Sequence, residues 1–512
     1  EIGTGDWSSD VCSSDLMIKL HSRNKQGETM NVIDETTWLS KLSKQALTSL
    51  AHNNERIVKG STVDLVHPAY EEVDDQELFN EIESILATVH LTEQLRKIED
   101  SNRSKFGPRS HAMPWVERKE SLYAYFAHED YDPGGFDEAY GRMLPVSPGQ
   151  VRRNLLKSSS AGLPYMMKKG LVLDKAFRSY ESELGVYPCV LYTRTQEQRK
   201  TRGVWAFPIS DTILEQTYLM PFLNGVERRL SWRQALNGPE AVDEGVTNLL
   251  LRRTDNDLVY CVDFSAYDAT VKPEHSYGAF AAIANQFQPQ CSEELYRIYR
   301  RFVTIPVYTP DGEVVGPHGV PSGSSFTNTV DSLVQFQASG RNYNCQIQGD
   351  DGIYLIPKNE RDSFPERFKR AGLTLNESKS QVFDTLEGVF LQRYYSPEYR
   401  KVGGSLGGVY SAYRAFNRIK YLERWTDFEG QGLTGSDFFA LRTIMILENC
   451  KHHPAFPQIV QMAQSFDRDG LAFSEQGVHQ FAKMMESKTR ANVMTADLRG
   501  IHAFETVKLL KT

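Results

Sequence analysis

The segment "QIQGDDGIYLIP", residues 346–357, sets Asp350 and Asp351 side by side between two stretches patterned as β-strands. Two like charges ~4 Å apart repel by about 4 kcal/mol at an effective dielectric of 20. Bulk water or a cation has to offset that repulsion. The chain around this hairpin must therefore build either a solvent-facing turn or a place for a metal.

A third acid points to the metal. "LVYCVD", 258–263, is a continuous apolar run that ends in Asp263, the pattern of a strand buried on both faces. If the hairpin pairs beside it, Asp263, Asp350 and Asp351 converge on one edge of a sheet. Hard oxygen ligands in an incomplete cage suit Mg²⁺, with Mn²⁺ as a substitute. Two such ions ~3.5–4 Å apart clamp the attacking and leaving oxygens of a phosphoryl displacement. Between the two segments, "GVPSGSSFTNTVDSLVQF" (319–336) reads as a Pro/Gly loop, a Ser cap and a helix. Phe326, Val330, Leu333 and Val334 share one face of that helix, and Thr327, Asn328 and Asp331 share the other. Each signal alone is weak, since acids sit at hairpin turns for purely local reasons. Their order and spacing carry the argument.

The 512 residues suit two to four domain-sized units or one multi-lobed enzyme. No run approaches the ~20 apolar residues of a membrane helix, so a soluble protein with no membrane partner is expected. Residues 1–16, "EIGTGDWSSDVCSSDL", resemble a translated sequencing adapter and are set aside as a scar. Without Glu1, Asp6, Asp10 and Asp15 the net charge moves from −8 to −4. That mild acidity argues against coating nucleic acid nonspecifically and for a local basic channel. The remaining cysteines (Cys189, Cys261, Cys291, Cys345, Cys450) are odd in number and lack a CxxC pair. Neither disulfides nor a zinc site is expected, and a reducing setting is favoured.

Elsewhere, Leu78, Ile82, Ile85, Leu86 and Val89 predict one amphipathic helix over 77–98. "DPGG" (132–135) and "VSPGQ" (146–150) are turn-rich breaks between an N-terminal region and the next lobe. "GGSLGG" (403–408) reads as a flexible connector, and the chain beyond it as mainly helical, for example over 438–447.

"DFSAYD" (263–268), "PSGSSFTN" (321–328) and "GDD" (349–351), in this order, resemble motifs A, B and C of viral RNA-dependent RNA polymerases. "GVPSGSSFTNTVDS" followed by "GDDG" is most similar to the partitivirus–picobirnavirus group. "KSSSAGLPY" (157–165) and "KTRGVWAFP" (200–208) favour the picobirnaviruses. The resemblance covers roughly residues 155–395.

The resemblance implies roles. Asp263 and Asp350 would be metal ligands, with Asp351 assisting. Asp268 would face the incoming ribose, and Thr327, Asn328 and Asp331 would complete the network that senses its 2′-OH. Asp331 departs from the Asn that many relatives carry. Ser322 and Gly323 would lie in a loop that follows nucleotide movement. "RTQEQRKTR" (194–202) resembles motif F, making Arg194, Lys200 and Arg202 triphosphate contacts. "SSSAGLPY" resembles motif G at the template entrance, with Ser159, Gly162 and Pro164 in contact with template. "AGLTLNESKS" (371–380) fits motif D and makes Lys379 the acid that protonates the leaving pyrophosphate. "FLQRYYS" (390–396) matches motif E, which would position the growing 3′ end.

The implied architecture is an α+β right-hand polymerase with an antiparallel palm sheet. Residues 17–250 would form the N-terminal region and fingers, 251–395 the palm and 396–512 a helical thumb. Its partners would be template and nascent RNA, nucleoside triphosphates and a viral capsid protein, in the virion or the host cytoplasm. Such an enzyme would copy segmented double-stranded RNA. Two alternatives remain open at this point. A reverse transcriptase usually carries an aromatic residue two places before its paired Asp, where this chain has Gln348. A noncatalytic RNA-binding protein on a decayed scaffold should lose the metal acids first, and all three are intact.

Overall fold

The computed structural model of the chain describes residues 31–33, 37–137, 140–401, 403–488 and 500–511. The adapter-like segment 1–16 lies outside the described residues. In chain order the strands are β1 (Asn31–Ile33), β2 (Cys189–Thr195), β3 (Thr201–Ala206), β4 (Asp257–Val262), β5 (Val307–Thr309) and β6 (Gly312–Val315). They continue with β7 (Cys345–Gln348), β8 (Asp351–Pro357), β9 (Gln381–Phe383), β10 (Gly388–Phe390) and β11 (Arg393–Tyr395).

The central sheet has the order β7-β8-β4-β9 and is antiparallel throughout. Strand β4 alternates its apolar side chains between two cores, as a pleated strand must. Leu258, Tyr260 and Val262 face a core with Val330, Leu333, Phe364 and Phe280. Val259 and Cys261 face the other way, onto Val246, Leu249 and Leu250 of the helix Pro239–Leu251. Both faces are covered, which is why the segment reads as an unbroken apolar run.

A five-stranded sheet of order β1-β6-β5-β2-β3 stands apart from it. Its β2–β3 hairpin pairs Arg194 with Arg202 across the strands, so the basic run is two hairpin arms and a tip. Gln198 and Arg199 take positive φ at that tip. The third sheet is the small antiparallel pair β10–β11.

The C-terminal third is helical, and the expected 438–447 helix runs from Gly435 to Leu447. Its core also takes in Leu78, Ile82 and Leu86 from the N-terminal region. Buried Glu99 ties the two ends together, accepting from Ser411 Oγ at 2.6 Å and from the Ala412 amide at 2.8 Å.

Several expectations are corrected. The single helix over 77–98 is two, Asp75–Leu86 and Glu93–Arg103. Thr88 Oγ1 bonds back to the Ile85 carbonyl at 2.7 Å, and Thr92 caps the second helix, so local side-chain bonds win over the apolar pattern. The 146–150 segment starts a helix through a Ser147–Gln150 capping box. The 403–408 stretch is no loose connector: Leu406 is buried, its amide bonds to Thr247 Oγ1 at 2.9 Å, and Arg400 bridges Leu406. The helix Thr327–Ala338 begins at Phe326 without a side-chain cap. Ser324 Oγ instead accepts from the Phe326 amide within the loop, at 3.1 Å.

Candidate active site

The register Val262↔Gly352 between β4 and β8 brings Asp263 and the 349–351 turn to the same end of the sheet. The turn itself is pinned from the helix Thr327–Ala338. Gly349, at φ 65°, donates its N–H to Ser332 Oγ at 2.8 Å, and its carbonyl accepts from Gln335 Nε2 at 2.9 Å. Gly352 leaves the space that Gln335 fills, since a Cβ there would lie 2.1 Å from Gln335 Oε1.

The paired acids do not act alike. Asp350 is exposed at the turn. Asp351 turns its carboxylate toward the β10–β11 hairpin, where Oδ2 accepts from the Leu391 amide at 3.0 Å. Asp350 belongs to the turn and Asp351 is the first residue of β8, so the two sit in different surroundings. Burial and then Asp350 push Asp351 up to about 7. Asp263 is held by neighbours of its own: its amide donates to Ser380 Oγ at 3.1 Å, and its carbonyl accepts from the Asn376 amide at 2.7 Å. Burial and Asp350 raise its carboxyl, while Lys379, Lys200 and Arg202 pull it down.

Asp268 follows Ala266, which takes φ 49°, and lies on the short helix Tyr267–Thr270. Burial and Asp350 push its carboxyl up to about 6, against Arg202. Its carbonyl accepts from the Val320 amide at 2.7 Å, which seats the 319–326 loop beside it. Asp331 is buried, and its Oδ1 accepts no hydrogen bond from the described residues. Burial, Asp268 and Asp350 raise it well above the carboxylate range.

Of the cations, Lys200, Arg202 and Lys379 are exposed and all act on Asp263. Arg194 is turned elsewhere and lies 3.4 Å from Glu423. Thr327 donates its hydroxyl to the Pro321 carbonyl at 2.7 Å, and Ser322 Oγ accepts from the Trp205 amide at 3.2 Å. Gly323 packs on the same strand; a Cβ there would sit 1.6 Å from the Trp205 carbonyl oxygen. Asn328 is exposed, and its Oδ1 accepts from Arg233 Nη2 at 2.8 Å.

The 158–165 segment is not gathered with the acids. Ala161, Gly162 and Leu163 are buried. Gly162, at φ 62°, makes room for the chain's own backbone, since a Cβ would meet the Phe207 carbonyl at 2.5 Å. The close backbone approach that Gly162 permits is therefore to Phe207. Ser159 and Pro164 are half-buried, and the Ser159 carbonyl accepts from the Lys169 amide at 2.8 Å.

Sequence reading missed Arg233, Glu227, Ser332, Gln335 and Glu215. Buried Arg233 pairs with Glu227 and donates from Nη1 to Ser332 Oγ at 2.7 Å and to Gln348 Oε1 at 2.6 Å. No motif marks it; only an Arg placed among apolar residues hints at a buried pair.

Among the described residues no three acidic, His or Cys side chains are grouped so as to hold a metal ion by themselves. The donor chemistry nevertheless fits a divalent cation: carboxylates that burial and mutual repulsion push upward are relieved by positive charge. An Mg²⁺-like ion needs only one or two protein carboxylates when substrate phosphates and water complete its shell.

Comparison with known proteins agrees with this geometry. Residues 145–406 match the family model described as viral RNA-dependent RNA polymerase. The chain is 29% identical over 423 residues to the potential RNA-dependent RNA polymerase of a human picobirnavirus, covering 75% of this chain and 78% of that one. It is 29% identical over 280 residues to the RNA-directed RNA polymerase of Cryptosporidium parvum virus 1, covering 47% and 52%. The crystal structure of a human picobirnavirus RNA-dependent RNA polymerase superposes with a TM-score of 0.78 at 24% identity, over 92% of this chain and 99% of that one. Its insertion-loop deletion mutant gives 0.74 at 25%, with the same coverage.

Proposed function

The chain belongs to the viral RNA-dependent RNA polymerases, and on that premise we propose that Asp263 and Asp350 are the ligands of two Mg²⁺ ions, with Asp351 supporting them from behind. The protein is an RNA polymerase of picobirnavirus type with the right-hand fold; it takes RNA and nucleoside triphosphates and uses divalent metal ions. The β4–β8 register supports the ligand assignment, because it brings Asp263 to the same end of the sheet as the 349–351 turn, where Asp350 raises the Asp263 carboxyl. Mn²⁺ is the substitute this oxygen donor set would accept.

Bound ions would stabilise charge on the attacking 3′-oxygen and on the leaving pyrophosphate. The chain's own groups bind and orient around them. Lys200 and Arg202 hold the triphosphate, and Arg194 joins them once released from Glu423. Lys379 gives a proton to the leaving pyrophosphate. Asn328, Asp268, Asp331 and Thr327 surround the ribose, Asp331 with its unpaired oxygen. Ser322 and Gly323 form the loop beside the nucleotide. Ser159 and Pro164 line the template path, with Gly162 shaping that loop from beneath.

We assign 17–250 to the N-terminal region and fingers, 251–395 to the palm and 396–512 to the thumb, with the helices at 75–103 packed onto the thumb. A capsid-protein partner, and work in the virion or host cytoplasm, follow from the resemblance alone.

The test is Mg²⁺-dependent incorporation of labelled ribonucleotides on an RNA template. Activity in the parent and none in Asp350→Ala supports the metal assignment. Equal incorporation by both removes Asp350 from the site.

A further inference from the structure

Glu215 is a buried carboxylate that lies outside all of the motifs. It lies on the helix Ile209–Gly225, which follows β3 after two residues. Both of its oxygens are given to the loop ahead of the helix Thr327–Ala338. Oε1 accepts from Ser324 Oγ at 2.6 Å, and Oε2 from the Ser325 amide at 2.7 Å. Arg301, which lines the same cavity, is bound instead to Asp211 at 2.9 Å. A buried carboxylate with two hydrogen bonds and no cation is expensive unless those bonds are strong.

We propose that Glu215 is a positioning residue for nucleotide incorporation, fastening the 321–326 loop in the form that presents Ser322, Gly323 and Asn328 to the nucleotide. The proposal rests on the polymerase-site reading above. The loop has two anchors on one continuous segment of chain. Trp205 of β3 holds Ser322 and abuts Gly323, and Glu215 holds Ser324 and Ser325. That segment begins with Lys200 and Arg202, so it ties the cations to the loop. The Trp205 anchor is a neutral bond at 3.2 Å. The Glu215 anchor is short and charge-assisted, and therefore the stronger of the two.

Burial pushes Glu215 up to about 7, with Asp211 adding to the shift and the loop bonds opposing it. A cavity of about 570 Å³ reaches Glu215 but none of the loop residues. The charged and titratable groups around that cavity are Tyr180, Glu181, Asp211, Glu294, Arg297 and Arg301. Once protonated on Oε1, Glu215 can donate to Ser324 Oγ while Oε2 still accepts from the Ser325 amide. Both bonds persist but lose their charge assistance, and the loop loosens as pH falls through 7.

The experiment compares the whole chain with Glu215→Gln and Ser324→Ala. Incorporation kinetics are read across pH 6–8.5, and hydrogen exchange of the 321–327 peptide at one pH. Glu215→Gln is expected to lower kcat about tenfold, the difference between charge-assisted and neutral anchoring. It should also speed exchange of that peptide and flatten the pH dependence expected of the parent near pH 7. Ser324→Ala should speed the same exchange, and the double variant should be no slower than the slower single. Parental kinetics, pH profile and exchange in Glu215→Gln would overturn the proposal, as would effects that multiply in the double variant. If Glu215→Gln does not fold, Ser324→Ala decides alone through the same exchange. Asp350→Ala on parental Glu215 tests the polymerase reading separately: incorporation that survives it removes that reading, while the exchange result still judges the anchor.

Discussion

Arg233 Nη2 donates to Asn328 Oδ1 at 2.8 Å, and that one bond sets which way the Asn328 amide faces. With its oxygen engaged, Asn328 turns its NH₂, which bonds to none of the described residues, to the side of the 349–351 turn, where Nδ2 comes within 3.3 Å of a Cβ position on Gly349. Asn328 is thus a donor in the site. Arg233 also holds Gln348 and, through Ser332, Gly349, so one guanidinium couples the amide to the turn.

Asn328→Asp is expected to keep the Arg233 contact while replacing the donor with a second acceptor. Selectivity for ribonucleoside over 2′-deoxynucleoside triphosphates should fall about tenfold, the worth of one hydrogen bond. The ratio of kcat/KM values for the two substrates checks this.

Arg233→Met should destabilise the protein by about 3–5 kcal/mol, because Glu227 is left charged and buried. The double variant Arg233→Met, Glu227→Leu should recover part of that loss. Thermal unfolding of the three proteins measures it.

Asp350 raises the carboxyls of Asp263, Asp268, Asp331 and Asp351. Asp350→Asn should therefore stabilise the metal-free protein, by about 1 kcal/mol at low salt, while removing activity. Mg²⁺ should raise the parent's Tm and leave that of Asp350→Asn unchanged.

The same repulsion fixes a sign with pH. Asp268 and Asp351 take folded values of about 6 and about 7, above the ~3.9 of an unfolded Asp. Between those limits these two groups hold more protons in the folded state than in the unfolded one, so their contribution to stability falls as pH rises. His67 and His318, pushed down to about 4 by burial, act the other way below about pH 6.5. The difference between two proteins therefore isolates the acids: the metal-free Tm of Asp350→Asn should gain on the parent's from pH 5 to pH 8. A difference that does not grow with pH contradicts the picture.

Lys379 is exposed, so Lys379→Leu should change stability by no more than about 0.5 kcal/mol. Its kcat should fall ~10²–10⁴-fold with little change in KM, as for loss of a general acid. Single-turnover incorporation distinguishes that from a release step.

Local repetition made part of this fold legible in the chain alone. The apolar run of β4, the two strands around Asp350 and the apolar face of the 327–338 helix are written in periods of two and 3.6 residues. The order of the three motifs then identified the family. The rest depends on contacts between residues far apart in the chain, which no local pattern encodes. Asp351 faces Leu391, Arg194 faces Glu423, and Gly162 yields to Phe207. The helix expected across 77–98 broke because threonine hydroxyls compete for backbone groups at close range, which apolar spacing does not record. Glu215 and Arg233 were silent for a related reason. A buried charge is defined by the partners folding brings to it, and Ser324 is 109 residues from Glu215, as Asn328 is 95 from Arg233.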